Sequence, residues 1–277
     1  MKFTKMHGIG NDYIYVNCMD GIDFDPVQTS VVLSDRHFGV GSDGMILICP
    51  SDKADFRMRM FNADGSEGKM CGNGIRCFAK YVYCKGLTDR KVILIETLAG
   101  VKTAWLTAEG GDVTSVRVDM GSPVLFPAQI PVKYDGEEMV NQPLDVGGKT
   151  WNVTAVSMGN PHCVTYLDDV DSLAIEQIGP LFEHHPLFPE RVNTEFVRVV
   201  NRTNLRMRVW ERGIGETLAC GTGACAAAIA AVENGFCDRG ADIHVSLPGG
   251  ELIVNYTEDR VLLTGGATKV FEGTFAY

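Results

Sequence analysis

The chain has 277 residues, 45% of them hydrophobic and 22% charged, which is typical of a globular protein rather than a disordered or fibrous one. A net charge of −10 without any basic cluster argues against a nucleic-acid partner, and no apolar run is long enough to cross a bilayer. Nine cysteines without C-x-x-C spacing and an N-terminus unlike a signal peptide predict a cytoplasmic protein with no disulfide framework and no metal site.

The first half of the chain predicts short strands around one long helix. Residues 2–18 indicate two strands joined by a polar turn, and residues 26–37 a surface helix. Helical spacing of Ile75, Phe78, Ala79 and Val82, with Gly86 at the end, predicts a helix within 67–86. Further strands are predicted at 45–49, 57–62, 91–96, 101–106 and 113–118.

The second half predicts a similar series of elements. The Pro- and Gly-rich segment 121–148 contains the boundary between the halves, and residues 158–162 form a turn. A helix is expected at 175–182, a loop at 188–194, and a second helix within 216–235 that is apolar on every side and therefore buried. Strands are predicted at 153–156, 205–210, 244–247, 252–256 and 261–264.

The two halves are related by an internal repeat with a shift of 149 residues. Between residues 56 and 106, 13 of 51 positions are identical to their shifted partners, where background composition gives roughly three. Cys71 matches Cys220, and Asn11 matches Asn160. Because this period is much longer than a solenoid unit, the repeat predicts two similar domains.

Cys71 and Cys220 differ from the other seven cysteines, which are expected to be small buried hydrophobes. Each of the two precedes a Gly-x-Gly at the start of a predicted helix, where the helix dipole and free N–H groups favour an anion. This position predicts a thiol pKa lowered from about 8.5 toward neutrality. The same N–H groups can hold a carboxylate.

A pair of equivalent thiols suits one class of reaction if the two domains face each other. One thiolate removes a proton from a carbon α to a carboxylate, and the other thiol returns one to the opposite face. The carbanion between them is stabilised by N–H dipoles aimed at the carboxylate. A hydrolase has no use for a second equivalent thiol.

The sequence motifs resemble those of the diaminopimelate epimerase family. They are HGIGND at 7–12, FNADGSEGKMCGNGIRC at 61–77, SMGNPHC at 157–163, PERVN at 189–193, ERGIGETLACGTGAC at 211–225, LPGG at 247–250 and GGATKVFEG at 265–273. The resemblance covers essentially the whole chain. It implies an α/β (α+β) fold of two pseudo-symmetric domains, each a β-barrel-like sheet wrapped around a central helix. The domains would be residues 1–117, with 265–277 returning to them, and residues 118–264.

The resemblance also implies an activity and a site. The activity is the interconversion of L,L- and meso-diaminopimelate in lysine biosynthesis, without a cofactor such as pyridoxal phosphate, by a homodimer. The implied catalytic residues are the thiols Cys71 and Cys220, with His162 and Glu211 tuning them. The implied substrate-binding residues are Asn11, Asn62, Gly72, Asn73, Asn160, Asn193, Glu211, Arg212, Gly221 and Thr222. Arg212 is suited to a carboxylate, Glu211 to an ammonium group, and asparagine to both.

Three alternatives remain open from the sequence. Another two-thiol isomerase, such as a proline racemase or hydroxyproline epimerase, shares the predicted fold and chemistry, but its substrate has only one polar end. A thiol redox or metal-binding protein would also use both cysteines, without exchanging an α-proton. An inactive structural duplication does not explain the polar residues at matched turns. Glu67 and Glu216 match each other and are expected only to support the helix starts.

Overall fold

The computed structural model describes residues 1–276, which divide into two compact units. Unit 1 contains residues 1–119 and 264–276, and unit 2 contains Met120–Leu263. Tyr277, part of the segment predicted to return to the first domain, lies outside the described residues. That each unit acts as one half of an epimerase stays a prediction.

Unit 1 contains two α-helices, α1 (Pro26–Ser34) and α2 (Gly72–Cys84). Its strands are β1 (Lys2–Gly8), β2 (Asn11–Asn17), β3 (Gly44–Cys49), β4 (Phe56–Asn62), β5 (Glu67–Gly68), β6 (Val92–Thr97), β7 (Gly100–Glu109) and β8 (Asp112–Gly121). The strand β18 (Thr268–Thr274), numbered by its place in the chain, also belongs to this unit. The helix predicted at 26–37 ends early because the Asp35 carboxylate accepts the N–H groups of His37 and Phe38, which forms a turn.

Unit 2 also contains two α-helices, α3 (Ile175–Glu183) and α4 (Gly221–Glu233), and a short 3₁₀ turn at Pro127–Gln129. Its strands are β9 (Gln142–Val146), β10 (Lys149–Ser157), β11 (Pro161–Tyr166), β12 (Asn193–Asn201), β13 (Asn204–Glu211), β14 (Gly215–Thr217), β15 (Asp242–Leu247), β16 (Gly250–Tyr256) and β17 (Val261–Gly265). β18 of unit 1 follows β17 in the chain.

The two units use the same strand pairing, which confirms the predicted pseudo-symmetry of the fold. β2 and β11 each pair parallel with the next strand, β3 or β12, and the register Tyr13↔Gly44 recurs as His162↔Asn193. β3 and β12 then pair antiparallel with β4 and β13. Those strands pair parallel with β6 and β15, which begin a hairpin with β7 and β16.

One long helix occupies the centre of each unit. α2 packs on β1, β2, β3 and β7, and α4 packs on β10–β13, β15 and β16. α4 is buried on every side, as predicted, because alanine fills most of its turns and allows close approach of the strands. Each helix is followed by a glycine at positive φ, Gly86 at 69° and Gly235 at 74°.

The strand beside β1 in unit 1 comes from late in the chain, whereas its counterpart in unit 2 comes from the start of that unit. In unit 2, β9 pairs antiparallel with β10, and β10 pairs with β11. In unit 1, the same place beside β1 is taken by β18, and the Met1 amino group donates to the Phe275 carbonyl at 2.8 Å. Phe271 of β18 also packs edge-on against Phe3 of β1.

Some elements differ from the sequence predictions. No strand was predicted in the segment 121–148, but it contains β9. The turn at 158–162 already includes the start of β11, and the loop at 188–194 ends where β12 begins. Among the cysteines expected to be buried, Cys84 is exposed at the C-terminal end of α2. Within residues 1–276, none of the helices has the length and apolar character needed to span a membrane.

Candidate active site

The two candidate thiols occupy the same structural position in their own units. Cys71 is the N-cap of α2, and its sulfur accepts the N–H of Gly74 at 3.3 Å. Cys220 is the N-cap of α4, and its sulfur accepts the N–H of Gly223 at 3.3 Å. Both cysteines have extended backbones, so each side chain turns back over the first turn of its helix. Because a cysteine precedes each Gly-x-Gly, the N-cap of each helix carries a sulfur rather than a hydroxyl.

The prediction of lowered thiol pKa values is wrong. Burial raises the pKa of Cys71, and the N–H groups of Gly74 and Asn73 and the Tyr13 hydroxyl offset it only in part. Burial raises the pKa of Cys220 further, and the negative charges of Glu211 and Glu195 add to this effect. The helix N-terminus favours a thiolate at both positions, but desolvation is the larger influence.

In unit 1, Cys71 contacts a substrate-binding candidate directly. Its S–H donates to Oδ1 of Asn11 at 3.3 Å. The other end of the Asn11 amide, Nδ2, donates to the Asp43 carboxylate at 2.7 Å. Because a carboxylate only accepts, Asp43 fixes the amide with its carbonyl toward the sulfur. Asp43 in turn accepts from the Arg36 guanidinium at 3.0 Å.

In unit 2, a chain of side chains connects Cys220 to a buried acid. The Cys220 sulfur lies 3.6 Å from Oγ1 of Thr222, which accepts from Nδ2 of Asn160 at 3.3 Å. Oδ1 of Asn160 lies 3.1 Å from Nε2 of His162, and Nδ1 of His162 lies 2.7 Å from the Glu195 carboxylate. His162 and Glu195 are both fully buried. The structure therefore brings Cys220, Thr222, Asn160 and His162 into one hydrogen-bonded group.

Asn193 and Arg212 lie together at another edge of the same unit. Oδ1 of Asn193 accepts the backbone N–H of Arg212 at 2.9 Å, and Nδ2 donates to the Pro161 carbonyl at 2.8 Å. Asn193 thus braces the starts of β11 and β12 against the end of β13. The Arg212 guanidinium donates to the Glu190 carbonyl at 2.9 Å, and Glu211 accepts from the Thr217 hydroxyl.

The remaining candidates lie at strand and helix ends. Asn62 ends β4, and its amide donates to the Ser66 hydroxyl at 2.9 Å within the turn that leads to α2. The residues following each thiol, Gly72 and Asn73 in α2 and Gly221 in α4, lie in the first turn, where helix N–H groups have no partner within the helix.

Glu67 and Glu216 support the approach to each helix, as expected from their match. Glu67 accepts two hydrogen bonds from the Arg59 guanidinium, at 2.8 and 3.1 Å. Glu216 accepts two from Arg208, at 2.7 and 3.0 Å. This paired geometry is favourable for arginine and carboxylate, and it ties β4 to β5 and β13 to β14.

Two residues of these networks were missed in the sequence analysis. Asp43 was included in a loop of turn-forming residues, which concealed its bond to Asn11. Glu195 follows the predicted loop 188–194 and lies inside β12. Its repeat partner is Ile46, which lies in β3. A charged residue where the other copy has isoleucine was a signal that could have identified Glu195.

Comparison with known proteins identifies the family. The sequence model described as diaminopimelate epimerase matches residues 3–126 and 154–270. The chain belongs to the diaminopimelate epimerase family. It is 57% identical over 275 residues to a diaminopimelate epimerase of Acetivibrio thermocellus, covering 99% of this chain and 98% of that protein. It is 52% identical to a diaminopimelate epimerase of Methanococcus maripaludis, covering 99% of both chains. As a member of this family, the protein is an isomerase of the racemase and epimerase kind.

Solved structures show the same fold in more distant proteins. A Bacillus anthracis protein of the phenazine biosynthesis PhzF family superimposes with a TM-score of 0.73 at 17% identity, covering 99% of both chains. A hydroxyproline epimerase from Agrobacterium vitis superimposes with a TM-score of 0.69 at 15% identity, covering 99% of this chain and 90% of that one. These likenesses agree with the mixed α/β architecture that the sequence resemblance implied.

Proposed function

We propose that this member of the diaminopimelate epimerase family interconverts L,L- and meso-diaminopimelate, using Cys71 and Cys220 as its two acid–base groups and no cofactor. The observation that carries the proposal is the duplicated thiol cap. Each unit presents one sulfur at the N-terminus of its central helix, bonded to the same N–H in the first turn. No reaction that uses a single base accounts for this duplication.

The chemistry follows from what each group can do. One thiolate takes the α-proton, and the other thiol protonates the opposite face of the carbanion. Negative charge that moves onto the substrate carboxylate is stabilised by the N–H groups at the helix starts, including those of Gly72 and Gly221. Because both thiol pKa values are raised, a substrate ammonium group close to a sulfur would favour the thiolate when the substrate is bound.

The other proposed residues would recognise the two ends of diaminopimelate. Glu211 and Arg212 follow one another at the end of β13 and offer charges of opposite sign, which suits an ammonium and a carboxylate. Their repeat partners in unit 1 are Asn62 and Ala63, which carry no charge. This asymmetry supports recognition of a substrate whose second end is also a charged amino-acid group.

A turnover assay in deuterated water tests the proposal. Purified protein is given L,L-diaminopimelate without a cofactor. The isomers are separated at early times, and the deuterium content of each is measured by mass spectrometry. We expect deuterium in the meso product and little in recovered substrate. The buried thiol that removes the substrate proton exchanges that proton slowly with solvent. Early, extensive labelling of recovered substrate would point instead to a single base.

Matched cysteine variants separate the proposed thiols from structural ones. Cys71→Ala and Cys220→Ala should each lower turnover by about a thousandfold or more, as for removal of a general acid or base. Cys225→Ala, within the buried part of α4, serves as the control and should keep most activity. Proline and hydroxyproline are included as substrates, and turnover of these alone would favour the alternative isomerase.

The cellular setting is proposed on the same grounds. Diaminopimelate epimerisation belongs to lysine biosynthesis, and free thiols at every cysteine fit a cytoplasmic location. We expect a homodimer, which light scattering after gel filtration would detect as about twice the chain mass of 30.2 kDa. A monomer with full activity would remove the dimer from the proposal without affecting the reaction.

A further inference from the structure

Glu195 is a buried acid with one side-chain partner. It is fully buried on β12, and one oxygen of its carboxylate lies 2.7 Å from Nδ1 of His162. Within residues 1–276, its other oxygen, Oε2, has no hydrogen-bond donor. A buried carboxylate with so few donors is strongly disfavoured unless its partner carries the opposite charge.

Both ring nitrogens of His162 face oxygen atoms of neighbouring side chains. Nδ1 faces the Glu195 carboxylate, which can only accept, so Nδ1 carries hydrogen. Nε2 faces Oδ1 of Asn160 at 3.1 Å, and a carbonyl oxygen also only accepts. The Asn160 amide thus has its carbonyl toward the ring and its NH₂ group away from it.

The donation continues in one direction to the sulfur. Nδ2 of Asn160 donates to the Thr222 hydroxyl oxygen at 3.3 Å. The hydroxyl hydrogen of Thr222 is then free to point toward the Cys220 sulfur, 3.6 Å away. From His162 onward each group donates to the next, so a chain whose buried end is the Glu195 carboxylate ends in an O–H directed at the thiol. Such a donor stabilises a thiolate.

In the described part of unit 1, the matched residues form no such relay from a buried acid, and the Tyr13 hydroxyl acts directly on Cys71. The repeat partner of Glu195 is Ile46, and the partner of His162 is Tyr13. The register of the parallel strands is the same in both units, so these residues hold equivalent places. The two residues also take the same place against the first turn of the helix. A Cβ added to Gly223 would lie 2.6 Å from the Glu195 carboxylate, and one added to Gly74 would lie 2.7 Å from Ile46.

We propose that Glu195 is a positioning residue for Cys220, acting through a doubly protonated His162, Asn160 and Thr222 to direct a hydroxyl donor at the sulfur. The inference deepens the proposed function, on which its catalytic meaning rests. It makes the two thiols chemically unequal, because the N–H bond to the sulfur is common to both and the side-chain donor relay from a buried acid is present only in unit 2. The other ionisable groups acting on this region are Cys163 on β11 and Glu211 on β13.

The variant Glu195→Gln tests the proposal by whether Cys220 becomes less or more reactive. In Glu195→Gln, the carboxylate charge is lost and His162 no longer keeps its second proton. Nε2 then accepts from the Asn160 amide, which turns its carbonyl to Thr222 and takes the hydroxyl donor away from Cys220. The charges lost from Glu195 and His162 are opposite in sign and offset each other at the sulfur, so the lost hydroxyl donor decides the result. Alkylation of Cys220 by iodoacetamide, followed by peptide mass spectrometry over a pH series, should become about fivefold slower at a given pH, the value of one lost hydrogen bond.

The alternative explanation predicts the opposite sign. If Glu195 acts only as a negative charge near the sulfur, its removal favours the thiolate, and Cys220 reacts faster in Glu195→Gln. Faster or unchanged alkylation therefore overturns the proposal. Cys71 in the same samples is the internal standard and should not change. Ile46→Val, which trims the matched position in unit 1, is the control for loss of packing and should leave Cys220 unaffected.

Two further measurements make the result independent of folding and of turnover. Thr222→Val removes the last link, so Glu195→Gln added to it should slow Cys220 no further; an additive effect contradicts the relay. In the wild-type protein, ¹⁵N NMR should show both His162 nitrogens protonated, and an unprotonated Nε2 contradicts it. Neither readout needs substrate, so failure of diaminopimelate turnover with these results intact would overturn only the proposed function.

Discussion

Cys71 and Cys220 accept the same backbone hydrogen bond, but their other neighbours differ in charge. The Tyr13 hydroxyl and the Arg76 guanidinium act on Cys71 and lower its pKa against the effect of burial. Two carboxylates, Glu211 and Glu195, act on Cys220 and raise its pKa together with burial. The pKa of Cys220 is therefore raised further than that of Cys71, although both thiols take the same cap position.

Glu211→Gln should shift the reactivity of Cys220 to lower pH. Among the charges acting on Cys220, the Glu211 carboxylate has the largest effect on its pKa, so removal of this charge makes the thiolate easier to form. The measurement is the pH dependence of Cys220 alkylation, with Cys71 as the reference. We expect turnover to fall in the same variant, because Glu211 is proposed to bind the substrate ammonium. A profile that stays in place would show that Glu211 does not act on this thiol.

Sequence reasoning predicted the two helix caps better than the electrostatics of the thiols in them. The caps at Cys71 and Cys220 follow from local pattern, because a Gly-x-Gly before an apolar helix determines the geometry of a few adjacent residues. Burial of the thiols depends on strands distant in sequence, and this long-range effect reversed the predicted direction of both pKa shifts. Glu195 was missed for the same reason, since its importance comes from a neighbour on another strand.

At the scale of single elements, the two central helices end in the same way. Gly86 and Gly235 follow α2 and α4 at φ values of 69° and 74°, where an L-residue with a side chain is strained. A Cβ at either position would have no atom within 4 Å, so strain is the only cost. Glycine is therefore required at the end of each helix by the backbone conformation and not by contacts with neighbouring atoms.

Gly86→Ala and Gly235→Ala should each lower the free energy of unfolding by about 1 kcal/mol and leave turnover unchanged. Each helix has 13 residues, so its end lies about 20 Å from the thiol at its start. Urea unfolding and a turnover assay measure the two effects. Gly266→Ala is the control, since it also has open space around the added Cβ but no positive φ. Equal losses in all three variants would show that φ is not the cause.

The helices were easier to predict than several of the strands. Both central helices carry a cap signal, apolar spacing and a terminal glycine within 20 residues. β9, β11 and β12 were missed or started late because a strand is stabilised by partners elsewhere in the chain. The repeat could have recovered β11 and β12, since their unit 1 counterparts, β2 and β3, were both predicted.

At the scale of the molecule, the duplication kept the pairing of strands and changed the chemistry placed on it. Tyr13 and Ile46 in unit 1 correspond to His162 and Glu195 in unit 2. Unit 2 thus has a histidine and a carboxylate where unit 1 has a tyrosine and an isoleucine, within one backbone arrangement. A repeated fold can thus give two thiols a common geometry and separate electrostatic surroundings.

The buried thiols should make the protein lose stability at alkaline pH. Burial raises the pKa of Cys77 from 9.0 to about 11, so the folded state keeps a proton that the unfolded chain releases. Its contribution is complete below pH 9.0 and is lost as the pH rises to about 11, at a cost of about 2 kcal/mol from this residue. Urea unfolding across this range measures the loss.

Cys77→Ala is the matched variant for that measurement. It should be less stable than wild type at neutral pH, because it leaves a small cavity inside α2. Its stability should then fall less steeply with pH, since one of the raised thiols is gone. Parallel slopes in the two proteins would show that Cys77 does not ionise on unfolding in this range.

The pairing of β1 with β18 also affects how the protein is made. As the ribosome extends the chain, all of unit 2 emerges after β8 and before β18. Unit 2 is continuous in sequence and can complete its sheet while synthesis proceeds, whereas β1 must wait with one edge unpaired until the last strand is released. An unpaired edge attracts other chains, so nascent unit 1 is the part of this protein that most needs a chaperone.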